Sequence, residues 1–336
     1  MNILITGGAG FIGSNFIPYY LEKNPNDTVI NLDLLTYAGN LENLSEVKNE
    51  TRYKFIQGSI CDVNLVESIF EEFDIRSVIN FAAESHVDNS ISSPYNFIKT
   101  NIEGTFVLLE AAKKYWLNSS NNRDIEYKNS RFHHISTDEV YGSLENDGYF
   151  TEDTPYAPNS PYSASKASSD FLVRSYYHTY GLPVITTNCS NNYGPKQHDE
   201  KLIPTIIRKA IKNEAIPIYG KGDNIRDWLY VLDHCSGIEL TFREGNLGET
   251  YVIGGNNEFS NIDIVKKICS LLDEIEPKEM GSYKDQISFV TDRLGHDFRY
   301  AIDAKKIKRD LGWTPELNID EGLKTTIRWY LNKYNK

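Results

Sequence analysis

Asn2-Ile3-Leu4-Ile5-Thr6-Gly7-Gly8-Ala9-Gly10-Phe11-Ile12-Gly13 is the stretch that decides the fold. A β-branched and leucine run stops at a glycine cluster, and a helical pattern continues through Leu21. Gly8, Gly10 and Gly13 fit GxGxxG, while Gly7, Gly10 and Gly13 fit GxxGxxG. Glycine is needed where a strand turns tightly into a helix and the backbone must approach a pyrophosphate. The helix N-terminus then meets that charge with N–H groups. Alone, the glycine pattern is a weak signal. Here a second apolar run, Val29 to Leu32, ends in Asp33, which lies 20 residues (33 − 13) past Gly13. A carboxylate at about that spacing binds the ribose hydroxyls of NAD. Leu34 and Leu35 follow with no arginine for a 2′-phosphate, so NAD is expected over NADP.

The α/β alternation continues outward from there. Tyr53 to Gln57 reads as a third strand, followed by a helix from about Asp62 carrying Val66, Ile69 and Phe70. Ser77 to Phe81 reads as a fourth strand, ending in Ala82-Ala83-Glu84-Ser85-His86-Val87-Asp88. A helix over 95–116 has an apolar stripe of Ile98, Ile102, Phe106, Leu109 and Ala112. Residues 117–130 are polar and read as a surface loop before a strand at Phe132 to Ile135. Beyond the strand from Val184 the alternation weakens: a helix at 202–213, strands near 217–219 and 250–253, and helices at 261–273 and 321–333. The expectation is a Rossmann-type doubly wound parallel sheet with a smaller α/β substrate-binding lobe.

Composition narrows the partners. The chain has 336 residues, 40% hydrophobic and 24% charged, with a formal net charge of −12. That balance argues against nucleic acid or an anionic membrane as a partner, so an anionic ligand needs a local cluster of cations. No apolar run approaches a membrane span. Cys61, Cys189, Cys235 and Cys269 are widely spaced and read as reduced thiols of a cytoplasmic protein, and no metal site is expected.

Two stretches carry chemistry. Ser136-Thr137-Asp138-Glu139-Val140-Tyr141-Gly142 follows the buried run at 132–135, at the C-terminal strand end where open α/β sheets bind ligands. Side chains alternate faces along a strand, so Asp138 and Glu139 reach one pocket only if the chain is already turning. Tyr162-Ser163-Ala164-Ser165-Lys166 follows Pro161, which fits a helix start. Tyr162 and Lys166 then share one face at i and i+4. A tyrosine of pKa about 10 needs a neighbouring ammonium to act as a base near neutrality. That base is what an alcohol must meet to lose its proton as hydride leaves its carbon.

With these motifs the chain resembles the extended short-chain dehydrogenase/reductases acting on nucleotide sugars, and among them the 4,6-dehydratases. The likeness covers essentially the whole length. It extends through Asn191-Asn192-Tyr193-Gly194-Pro195, Glu200-Lys201-Leu202-Ile203-Pro204, Arg226-Asp227-Trp228-Leu229-Tyr230 and Asp292-Arg293-Leu294-Gly295-His296-Asp297. The resemblance implies NAD contacts at Gly7, Gly10, Phe11, Ile12 and Gly13, and at Asp33, Leu34, Leu35 and Thr36. It adds Ser59, Ile60, Phe81, Ala82, Ala83, Ser85, Thr100 and Asn192, together with Tyr162 and Lys166. It implies dTDP-glucose as substrate, held by Ser85, Thr137, Asn191, Lys201 and Leu202. Contacts at Pro217, Ile218, Tyr219, Arg226, Asn261, Asp292, Arg293 and His296 follow in the same way. The cations Lys201, Arg226, Arg293 and His296 would surround a diphosphate.

The resemblance also implies that residues around Trp228 to Phe242 return to the cofactor unit. The expected division is therefore 1–188 with 225–245 for NAD, and 189–224 with 246–336 for the substrate. Family members pair two helices about a two-fold axis, implying a homodimer built on 95–116 and 161–180, where Phe106, Trp116, Phe171, Tyr176, Tyr177 and Tyr180 exceed what one sheet face needs. Three positions depart from the pattern: Ser59 replaces an acid that meets the adenine, Asn89 a common arginine, and Leu294 a proline.

The implied mechanism oxidises C4 with Tyr162 and Lys166, eliminates water across C5 and C6 with Glu139 as base and Asp138 as acid, and reduces C6. Thr137 would hold the 4-oxygen. The product would be a 4-keto-6-deoxy sugar of the rhamnose-type deoxysugar route. A 4-epimerase, a dehydratase for another nucleotide sugar, and a non-catalytic NAD sensor remain as alternatives. The Asp-Glu pair separates the dehydratase from the epimerase, and the intact Tyr162 and Lys166 stand against the sensor.

Overall fold

The structure is a computed structural model that describes residues 1–117, 124–292 and 297–334. In chain order, β1 is Asn2–Thr6, β2 Thr28–Asp33, β3 Tyr53–Gln57, β4 Ser77–Asn80, β5 Phe132–Thr137 and β6 Val184–Cys189. They are followed by β7 Asn191–Tyr193, β8 Ile216–Tyr219, β9 Ile225–Tyr230, β10 Thr250–Ile253, β11 Glu258–Ser260 and β12 Ile287–Val290. Seven of these strands form one parallel sheet in the order β10-β6-β5-β4-β1-β2-β3. Ile3, Leu4 and Ile5 are fully buried, as expected for a strand covered on both faces by helices. The chain first builds outward from β1 to β3, then returns to β4 and builds the other way. The sheet's direction of growth therefore reverses between β1 and β4, and a crevice opens at their C-terminal ends.

β10 was expected in the second lobe. It instead pairs in parallel with β6, from Thr250 beside Thr186 to Ile253 beside Cys189, and completes the large sheet. Tyr251, Val252 and Ile253 are fully buried there, so a run of four residues satisfies both its backbone and its side chains at that edge. The remaining strands make a three-stranded sheet, β11-β9-β7, and a parallel pair, β12-β8. These pack with helices Leu202–Ile211, Asn261–Ile275 and Ile319–Tyr334 around their own core of Ile207, Ile218, Ile264, Ile268 and Leu323.

The expected single helix over 95–116 is broken in character. Pro94–Phe97 is α-helical, Ile98–Gly104 winds as a π-helix and Thr105–Trp116 is α-helical again. The wider turn shifts the phase of the apolar stripe. Leu109 and Ala112 are buried, but Ile98 and Phe106 are exposed. Inside the π turn, Asn101 donates to Glu84 O and Ser165 Oγ and accepts from Glu84 N, and Gly104 packs against Ile60. Trp116 is not a surface aromatic: it is fully buried and donates from Nε1 to Ile75 O at 2.8 Å. Within the expected loop at 117–130, residues 118–123 lie outside the described residues and Ile125–Tyr127 forms one 3-10 turn.

Candidate active site

The glycine turn is fixed by contact. Gly7 adopts φ +69°, and a Cβ there would lie 2.6 Å from Ala82 N at the end of β4. A Cβ on Gly13 would lie 2.6 Å from Gly7 O. The backbone thus folds flat across the switch point, and helix Phe11–Lys23 starts with Gly10 as an uncapped N-cap. Its first N–H groups open toward the crevice without a competing side chain. Asp33 accepts from Ala9 N and Leu35 N, each at 2.8 Å, which ties the end of β2 to the glycine loop. Burial pushes the Asp33 carboxyl up, against the opposing pull of those N–H groups.

One crevice collects nearly all the expected cofactor residues. Gly7, Gly10, Phe11, Ile12 and Gly13 line it with Asp33, Leu34 and Thr36, and so do Ser59, Ile60, Phe81, Ala82, Ala83, Ser85, Thr100 and Asn192. Leu35 does not line it; it takes φ +57° and contributes its N–H to Asp33. Thr137, Asp138, Glu139, Tyr162 and Lys166 form the same wall, with Asn191 and Lys201 opposite. Lys201 Nζ reaches Ser85 O at 3.2 Å across the crevice. The structure therefore brings the dinucleotide cradle and both chemical motifs into one space.

The remaining substrate candidates gather separately on the lobe. Pro217 and Tyr219 stand on β8; Ile218 between them has its side chain in the lobe's core, leaving only its backbone available. Asp292 lies against the turn at Gly220, and Asn261 N donates to Asn224 O. Leu202 starts helix Leu202–Ile211 outside the crevice lining. Arg226 is 5% exposed and gives its guanidinium to the carbonyls of Ile225, Asp297 and Phe298 while stacking on Tyr300 at 4.3 Å. Arg293, His296 and Leu294 lie outside the described residues.

The candidate reacting groups have contrasting surroundings. Residues Asp138–Tyr141 make a 3-10 turn capped by Thr137, whose Oγ1 accepts from Glu139 N at 3.3 Å. That turn lets two adjacent carboxylates reach one crevice. Asp138 is 1% exposed, and Oδ2 finds no hydrogen-bond partner among the described residues. Burial, then the neighbouring Glu139 and Asp227, raise its carboxyl well above the carboxylate range. Arg226 and the Thr137 hydroxyl pull the other way. Tyr162 lies in helix Pro161–Tyr180, started by Pro161 and a Ser160/Ser163 capping box. Burial and then Glu139 push its phenol well up, opposed by the hydrogen bond with Thr137. Lys166 donates to Ile135 O at 2.8 Å, and burial lowers its ammonium.

Sequence reasoning missed Asp227 and Tyr300. Asp227 is fixed by Gly255 N at 2.8 Å and Asn257 N at 2.7 Å, and its charge bears on Asp138. Tyr300 bonds Asp297 Oδ2 at 2.5 Å and feels the charge of Glu139. Gln197 and His198, between the motifs at 191–195 and 200–204, and Glu200, at the start of the second, also line the crevice.

A Rossmann sheet whose glycine turn faces a Tyr-x-x-x-Lys helix across the switch-point crevice defines an extended short-chain dehydrogenase/reductase. Residues 4–326 match the family model described as GDP-mannose 4,6 dehydratase. The chain is also 56% identical to the dTDP-glucose 4,6-dehydratase of Shigella flexneri, an alignment spanning 100% of this chain and 94% of that protein. The chain belongs to the nucleotide-sugar 4,6-dehydratases, in the dTDP-glucose 4,6-dehydratase family. Among solved structures, the Bacillus anthracis dTDP-glucose 4,6-dehydratase in complex with NAD superposes with a TM-score of 0.87 at 46% identity, covering 100% of this chain and 98% of that one. The Streptomyces venezuelae enzyme with NAD and dTDP bound gives 0.89 at 43% identity, with the same coverage.

Proposed function

We propose that this chain is an NAD-dependent hydro-lyase that converts dTDP-glucose to dTDP-4-keto-6-deoxyglucose. The observation that carries the reading is the pairing of a buried, proton-holding Asp138 with Glu139 beside Tyr162 and Lys166 in the dinucleotide crevice. Two carboxyl groups serve opposite roles when their environments separate their proton affinities. Incubation with dTDP-glucose and NAD, followed by mass spectrometry, should show loss of water. An unchanged sugar nucleotide, or only its 4-epimer, would remove the reading.

NAD, when bound, supplies the acceptor for hydride from C4 and returns that hydride at C6. The flat turn at Gly7 and Gly13 and the carboxylate of Asp33 fit a dinucleotide, and Asp33 beside Leu34 favours a free 2′-hydroxyl over a 2′-phosphate. Tyr162 takes the proton of the 4-hydroxyl. Burial and Glu139 hold its phenol up, so Lys166 must offset them with its ammonium charge. Thr137 Oγ1 orients the 4-oxygen. Glu139 then takes the C5 proton, made acidic by the new ketone, and Asp138 gives its proton to the departing C6 hydroxyl. Ser85, Asn191 and Lys201 face the sugar and diphosphate. Pro217 to Tyr219, Arg226, Asn261 and the 292–296 segment serve the nucleotide end, Arg226 by clamping the backbone at 297–298.

Residues 1–188, the returning segment 225–245 and the strand at 250–253 would form the cofactor unit, and the rest of 189–336 the substrate lobe. A homodimer fits the exposure of Tyr95, Ile98, Phe106 and Phe171 on two adjacent helices. No described helix is long and apolar enough to cross a membrane. The four cysteines are free thiols. A cytoplasmic enzyme supplying rhamnose-type deoxysugar synthesis accommodates these features.

A further inference from the structure

Behind the crevice wall lies a buried polar chain that the mechanism above does not use. Ala82 N donates to Thr6 Oγ1 at 3.3 Å, and Thr6 donates to Asn80 Oδ1 at 2.6 Å. This fixes the amide, so Asn80 Nδ2 donates to His134 Nδ1 at 3.2 Å. A neutral imidazole accepting at Nδ1 carries its proton on Nε2. That N–H faces Asp170 Oδ1 at 3.3 Å and Ser169 Oγ at 3.2 Å. The other carboxylate oxygen of Asp170 accepts from Ser136 at 2.8 Å, Tyr156 at 3.0 Å and Asn188 at 3.2 Å. Three donors thus converge on Oδ2 of a carboxylate that is 4% exposed, while Oδ1 has no hydrogen-bond partner among the described residues. Four residues earlier on the same helix face is Lys166, also 4% exposed, its Nζ 3.5 Å from His134 Nε2.

A buried ammonium tends to lose its proton unless an opposite charge is held close by. Carbonyl Ile135 O is a dipole without a net charge. We propose that Asp170 is the positioning residue that keeps Lys166 an ammonium, and that Ser136, Tyr156 and Asn188 fix its carboxylate in place for that purpose. Asp170 touches neither substrate nor cofactor in this role and acts on Tyr162 only through Lys166, so the inference rests on the reading of Tyr162 as base.

The other groups facing this cluster are His134 from β5, Cys189 from β6, Tyr156 and Tyr141 from the connection before the helix, and Tyr162 itself. Burial holds His134 at about 4 and raises Cys189, Tyr141 and Tyr156, so none of these four changes charge between pH 5 and pH 9. Asp138 and the residue at position 139, whether Glu or Gln, are the same in the two proteins of each pair.

The test is Asp170→Asn, read in two ways. In the substrate-free protein, pH-dependent reductive methylation of Lys166, followed by peptide mass spectrometry, should show the lysine losing its proton about one pH unit lower than in the parent. In a Glu139→Gln background, the rising limb of NADH formation against pH should move up by a similar amount, because Tyr162 has lost its cation. An unshifted lysine titration, with a limb that is lower but unmoved, would reduce Asp170 to a packing residue and overturn the proposal. If Glu139→Gln forms no NADH at all, the base reading of Tyr162 fails, while the lysine titration still decides the role of Asp170. Should Asp170→Asn not fold, Ser136→Ala with Tyr156→Phe strips two donors from the carboxylate. It should move both readouts the same way by a smaller step, and no movement would again overturn the proposal.

Discussion

Folding and chemistry make opposite demands on Asp138. Its surroundings hold a proton on it, which suits an acid but strains a neutral-pH protein. Its folded proton affinity lies above the ordinary aspartate value. At this group the native state therefore binds more protons than the unfolded chain, so the contribution of Asp138 to stability is greatest below about pH 4 and declines as pH rises toward the folded value. Asp138→Asn should raise the melting temperature at pH 8 by a few degrees, roughly 2–4 °C per kcal/mol for a large domain. The gain should vanish near pH 4, and dehydration should fall on the order of a hundredfold or more, as for loss of a general acid. Calorimetry at the two pH values, beside a product assay, checks both. Glu139→Gln should leave C4 oxidation largely intact, so NADH absorbance should build up and stall with dTDP-glucose, and deuterium from the solvent should fail to enter C5. A variant that turns over normally in both assays removes Glu139 as the base. Asp138 and Glu139 were legible because they are adjacent and follow a strand. Asp227 and Tyr300 were not, because only the crossing of β9 and the 297–302 segment brings them to the same carboxylates, and no sequence spacing encodes that crossing.

Among the elements, β5 carries His133 and His134 side by side, and His234 packs nearby on helix Val231–Glu244. Burial lowers all three, to about 3, 4 and 3. They fold as neutral rings whose unfolded counterparts charge below about pH 6.5, so their contribution is intact above that value and is lost as pH falls toward the folded ones. Between pH 7 and pH 5.5 each should cost about 1 kcal/mol, visible as a falling urea midpoint. A flat midpoint over that range would mean that the rings are not buried neutral. The glycine turn gives a second prediction. Gly7→Ala forces a Cβ onto Ala82 at positive φ, a strain of about 1–3 kcal/mol, so NAD binding measured by calorimetry should weaken on the order of tenfold. Turn and strand identities here follow from local residues, which is why β3 falls at Tyr53–Gln57 as its sequence implied. The helix at 94–116 misleads because one extra residue in a turn is invisible to a period count, and Phe106 moves from the core face to the surface.

At the scale of the molecule, Phe106 and Phe171 present aromatic area that one chain leaves uncovered, 45% and 57% exposed. Phe106→Glu combined with Phe171→Glu should convert a dimer to a monomer by light scattering at micromolar concentration while leaving the crevice assembled. A parent protein that is already monomeric would remove this face as an interface. The lobe's contents were legible only as a weakening of alternation, since short strands at 217–219 and 250–253 look alike until pairing separates them. That separation reaches back to synthesis. Because β10 closes the edge beside β6, the large sheet stays unfinished until residue 253 has left the ribosome. For some sixty residues of translation (250 − 189 = 61) the N–H and C=O row of β6 is an open edge that any extended segment nearby can join. A nascent chain stalled near residue 245 would therefore be the species most in need of a chaperone, and one released there should aggregate through that edge although it contains every residue of the catalytic wall.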